Sequence, residues 1–159
     1  MIPMLILGAL LAVPVKDTVW WDTPGGKVTE HQTADSTSCS LMLYNDSGSV
    51  TFEWDDQGQE QVTAINWNWQ FPDNWRVPMT MQFGDTLLNT GSSSSALIEA
   101  VGHGNAVTFT ANQPVEDLLR PADRVVVKTR DDELSIPLRR DKVKMLLAQT
   151  RKCRAMIPQ

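Results

Sequence analysis

The sequence predicts a mainly β protein, an antiparallel β-sandwich or bent meander sheet closed by one C-terminal α-helix. Three observations point that way. Apolar and polar residues alternate with period two from Cys39 onward, as strands with one buried face require. Turn-forming clusters fall between the alternating runs. Near the end of the chain the period changes to that of a helix.

Taken in order, the elements begin with an uncharged apolar run, MIPMLILGALLAVPV, that stops at Lys16-Asp17. It is shorter than the ~20 residues a membrane span needs and suits the apolar region of a secretory signal peptide. We read 1–16 as a signal peptide, with Ala12 the best small residue before a cleavage point, and 17–159 as a single β-rich domain. The competing readings are a buried N-terminal strand or helix bounded by Pro3 and Pro14, and an uncleaved anchor. The polar stretch 29–38, with His31, reads as loop.

Cys39, Leu41 and Leu43 share one strand face, and Val50, Phe52 and Trp54 another, with Asn45-Asp46-Ser47-Gly48 turning between them. Asp55-Asp56-Gln57-Gly58 closes the second run. Over 65–71, Ile65, Trp67, Trp69 and Phe71 form an aromatic wall opposite the amides Asn66, Asn68 and Gln70. Pro72-Asp73-Asn74 turns next, and Val77, Met79, Met81 and Phe83 form a further face. The serine-rich stretch 91–95 reads as a flexible loop, and 96–101 and 106–111 form a hairpin about Gly102-His103-Gly104-Asn105.

A short helix is expected over 114–119, capped by Asn112 and ended by Pro121. A hairpin follows, 124–129 with 133–138. Finally Val143, Leu146, Leu147 and Thr150 recur at helical spacing, so 140–153 is predicted as a helix whose terminal cations complement its dipole. The whole makes about eight to ten strands.

The chain has two cysteines, and in an exported protein an even count favours a disulfide. Only Cys39 with Cys153 is possible, placing the helix end against the first strand of the meander; the alternative is two buried free thiols. Charge is divided unevenly: 17–119 holds fourteen acidic and two basic residues, 120–159 eleven basic and five acidic, and with Lys16 the net charge is −5. Such a split implies complementary surfaces within the fold or toward a partner. Overall acidity argues against nucleic acid, which calls for a basic footprint.

No nucleophile elbow, phosphate-binding loop, dinucleotide fingerprint or zinc-protease motif occurs, so no catalytic residue is assigned. Cysteines and histidines lack metal-ligand spacing, and the Asp55-Asp56 and Asp131-Asp132-Glu133 clusters lack the calcium-loop pattern; no metal or cofactor is expected. His103 reads as a turn residue between glycines.

Six tryptophans are unusual for a chain of this size. Trp67, Trp69 and Trp75, with Asn66 and Asn68, are candidates for a saccharide or peptide groove. In the competing reading Trp54, Trp67 and Trp69 fill the core. Arg140, Lys142, Lys144, Arg151 and Lys152 form a candidate surface for an envelope protein or other envelope component, since the apolar stripe alone suffices to dock the helix. A hydrolase or hydrolase inhibitor is the third function considered.

The segment 124–153, a valine strand, a charged turn, the strand Leu134-Ser135-Ile136-Pro137-Leu138, a leucine-bearing helix and a cysteine, resembles the C-terminal ends of small exported proteobacterial proteins of the invasion-associated locus B type. The resemblance covers about a fifth of the chain; Arg139-Arg140 and the small number of cysteines depart from it. It implies a periplasmic or envelope-associated β-sandwich with no catalytic residues to carry over, and with the apolar N-terminal run the protein is expected to be periplasmic or secreted.

Overall fold

A computed structural model describes residues 16–88 and 97–157; of the segment read above as a signal peptide all but Lys16 lies outside these, as does the whole serine-rich stretch 91–95. The strands are β1 (Lys16–Thr23), β2 (Gly26–Gln32), β3 (Thr37–Asn45), β4 (Gly48–Asp55), β5 (Glu60–Asn66), β6 (Phe71–Phe83), β7 (Thr86–Leu87), β8 (Ile98–Gly104), β9 (Ala106–Ala111), β10 (Arg124–Lys128) and β11 (Glu133–Pro137). The helices are α1 (Val115–Leu119) and α2 (Arg140–Arg154).

All eleven strands belong to one antiparallel sheet, ordered β1-β2-β3-β4-β5-β9-β8-β6-β10-β11, with β7 attached to β6. The meander runs unbroken from β1 to β5, then β9 and β8 insert between β5 and β6. The sheet curls back on itself: Asn45 Nδ2 donates to Ser135 O across 2.8 Å, bringing β11 to β3. Period-two alternation explains the core directly. Leu41 and Leu43 of β3, Phe52 and Trp54 of β4, and Met79, Met81 and Phe83 of β6 are all buried, and Phe52 meets Phe83 with ring centroids 6.0 Å apart. The α2 stripe Val143, Leu146, Leu147, Thr150 and Cys153 is buried in turn.

Four expectations need correction. The run 65–71 is not one strand: β5 ends at Asn66 and β6 starts at Phe71. Asn66 Oδ1 accepts the Asn68 N–H at 3.0 Å, and Asn66 O accepts that of Trp69 at 3.0 Å. An asparagine able to satisfy its own backbone two residues on breaks a strand that alternation alone would continue. Trp67 is consequently 58% exposed and not in the core, whereas Trp69 is 5% exposed and is.

Second, only 33–36 of the stretch 29–38 is loop. β2 extends to Gln32 and β3 starts at Thr37. Polar cross-strand pairs hide the strand signal, with His31 between Asp17 Oδ1 at 2.8 Å and Ser40 Oγ at 2.9 Å. Third, Pro72-Asp73-Asn74 is a bulge inside β6, where the register with β8 shifts between Phe71 and Trp75 and Asn74 takes φ 60°. Fourth, Pro114 and not Asn112 stands at the N-cap of α1, and the Val115 N–H goes to Glu60 Oε2 at 2.9 Å.

Candidate functional site

Cys39 and Cys153 form a disulfide, fully buried, tying β3 to the last turn of α2. Around that clamp α2 spends much of its charge internally. Arg151 and Arg154 both reach the Glu116 carboxylate, which Arg120 also meets at 3.2 Å. The Arg154 guanidinium also lies 5.0 Å from the Trp54 ring centroid, a cation–π contact. Lys142 Nζ donates to Pro24 O. Asp141, in the first turn, is held below the usual carboxylate range by the Lys142 backbone N–H and, next, the Arg139 guanidinium. Of the five cations assigned to a partner surface, Arg140, Lys144 and Lys152 are exposed and form no ion pair among the described residues.

The histidines do not assemble a catalytic cluster. His31 in β2 faces Asp17, and His103 in β8 faces Asp73, with β3, β4, β5 and β9 between the two strands. No group of three or more His, Cys, Asp or Glu able to hold a metal occurs among the described residues. No helix among them is long and apolar enough to cross a membrane.

The tryptophan set divides. Trp69 packs against Phe71 at 5.3 Å between centroids, and its indole Nε1 is buried without a partner, as are those of Trp21 and Trp54. Asn66 is structural as well: it is 2% exposed and donates from Nδ2 to Asp132 Oδ2 at 3.1 Å, fastening the 66–69 turn to the β10–β11 hairpin. Asn68 is exposed. Trp75 is 56% exposed and lines a groove of about 770 Å³ with Phe71, Val77, Pro78 and Leu97 on its apolar side. Arg76, Lys128, Arg130 and Asp131 supply the polar rim.

Local sequence builds that groove. The bulge at Pro72-Asp73-Asn74 is pinned to β8 by the Asp73–His103 pair. Opposite Trp75 in the register stands Gly102, where a Cβ would come within 2.8 Å of Val77 Cγ2 and 3.0 Å of Phe71 Cβ. Glycine there lets Phe71 settle against the strand and form the floor. Periodicity missed Arg76, Leu97 and the hairpin residues as lining. The available signal was proline: Pro72 and Pro78 within six residues mark a strand with one side open.

No family model, no curated protein and no solved structure matches the chain.

Proposed function

We propose that the protein is an exported, non-catalytic binding module that holds a ligand or partner in the groove beside Trp75. The single observation carrying this reading is a large aromatic side chain, more than half exposed, beside Phe71 and Leu97 and rimmed by Arg76, Lys128 and Arg130. Binding sites combine apolar, aromatic walls with a few convergent polar groups, and exposed tryptophan is enriched where binding energy concentrates. Export, to the periplasm or beyond the cell, is supported by the apolar run before Lys16 and by the disulfide. The likeness of 124–153 to the invasion-associated locus B type is consistent with an envelope role.

Titrating the protein with panels of oligosaccharides and peptides, followed by amide NMR, tests the site. We expect a ligand to move the signals of Trp75, Arg76 and Arg130, and Trp75→Ala to abolish the response while leaving the fold intact. A ligand response confined to the exposed face of α2 would transfer the function to Arg140, Lys144 and Lys152.

A further inference from the structure

We infer that the groove captures an extended acidic–apolar peptide by adding it as a strand to the open edge of β6, an inference that rests on the binding reading above. β7 and β10 both pair with Gln82 and Phe83, so they occupy opposite edges of β6. Leu88 donates to Met81 O at 2.8 Å, which assigns the odd-numbered backbone groups to the β7 edge and the even-numbered ones to the β10 edge. β8 pairs with Trp75 through Met79; Pro78 has no N–H to offer, so a ladder bonded through Trp75, Val77 and Met79 loses nothing to it. β8 therefore shares the β7 edge.

On the other edge β10 pairs only from Phe83 to Thr80 and then turns away, Thr129 N–H bonding Asp132 O at 2.9 Å. Toward its N-terminus β6 has no described neighbour on that side. The backbone groups aimed there are Arg76 N–H, Arg76 C=O and Pro78 C=O. These make a short template for an incoming strand, bounded by the Asn74 bulge on one side and Lys128 on the other. The same proline and bulge blunt the edge against long self-pairing.

The rim selects the partner's charge. Arg76, Lys128 and Arg130 stand against Asp131 alone in the lining, on a protein whose net charge is −5. Among the described residues Arg76 is engaged only with Glu99, at 3.0 Å and highly exposed on both sides, so a peptide carboxylate can replace it. Apolar residues at alternate positions of the peptide fall toward Trp75 and Phe71.

The test uses the full oxidised chain and a short synthetic peptide of alternating glutamate and valine, with a lysine–valine counterpart and the oligosaccharide panel. We expect the acidic peptide to bind at least about tenfold more tightly than the basic one. Arg76→Ala keeps the N–H and weakens binding modestly; Arg76→Pro removes the N–H too and weakens it by up to about tenfold more, both variants melting like the parent. Acidic peptide methylated on its backbone nitrogens, offered to the unaltered chain, reads the same ladder without a substitution and should lose binding. Equal binding by methylated and plain peptide, or by the two Arg76 variants when both fold, overturns strand addition while leaving the binding site in place. Saccharide moving Trp75 where peptide does not also overturns the inference and keeps the module. Silence from both panels overturns both readings. Dimerisation through β6 in the absence of peptide would make a second copy the occupant and overturn the peptide assignment.

Discussion

The two ends of the molecule use the same side chain in opposite ways. At the α2 end, Trp54 is 2% exposed, capped by Arg154 and next to a disulfide whose Cys39 pairs with Trp54 in the β3–β4 register. At the β6 end, Trp75 is 56% exposed, opposite a glycine, on a strand bulged before it and, among the described residues, without a strand partner on one edge there. Both tryptophans sit on an inward-facing parity of their strands. What separates them is whether a second layer covers that face: α2 does so at one end, and nothing described does so at the other.

The largest expected effect lies at the covered end. Replacing both Cys39 and Cys153 by alanine opens a loop with a sequence separation of 114, for which chain entropy gives about 4–5 kcal/mol, an upper value. Urea unfolding of the variant checks it; a loss below about 1 kcal/mol would mean that α2 holds its place without the clamp. Next comes the direct contrast. Trp54→Ala should cost about 3–5 kcal/mol, as large-to-small core changes do, and Trp75→Ala no more than about 0.5 kcal/mol. Equal losses at the two positions would break the comparison outright. Gly102→Ala falls between, at about 1–3 kcal/mol through crowding of Val77 and Phe71. Because Phe71 forms the floor of the groove, the same change should also weaken whatever binds there, which Trp75→Ala separates from stability.

How much of this was legible in the sequence depends on what decided each element. Where burial decided, alternation sufficed: β3, β4, the inner half of β6 and α2 follow from Leu41, Phe52, Met79 and Leu146 at their spacings, and the disulfide from there being one possible pair. Where polar side chains bonded locally, alternation misled. Asn66 ended β5 by bonding its own turn and so sent Trp67 to solvent. Asp17, His31 and Ser40 hid a strand pair behind polar composition. The candidate groove was half legible: Trp75 was singled out beside its proline turn with Arg76 next to it in the chain, but the β10–β11 hairpin joins it only through the curl of the sheet. That curl depends on pairings between strands far apart in sequence, such as Thr80 with Lys128.

The smallest effect bears on the charge split. Several cations of the basic C-terminal half meet the acidic half inside the fold: Arg120, Arg151 and Arg154 at Glu116, and Arg124 at Asp85. Glu116 is the least exposed member of these pairs, its side chain at 15%, so Arg151→Glu places a like charge against a carboxylate with little water around it. It should cost about 1 kcal/mol, the upper end for an ion pair near the surface. Lys144 and Lys152, exposed and unpaired among the described residues, have nothing to lose. Reversing both to glutamate should change stability by no more than about 0.5 kcal/mol. It should also leave peptide capture unaltered apart from a slight salt-dependent change in rate, because neither lysine lines the groove. Measured side by side by thermal melting and peptide titration, the two variants locate the working cations. If the double reversal weakens capture as much as Arg76→Ala does, the exposed face of α2 is the site and the open edge of β6 is not.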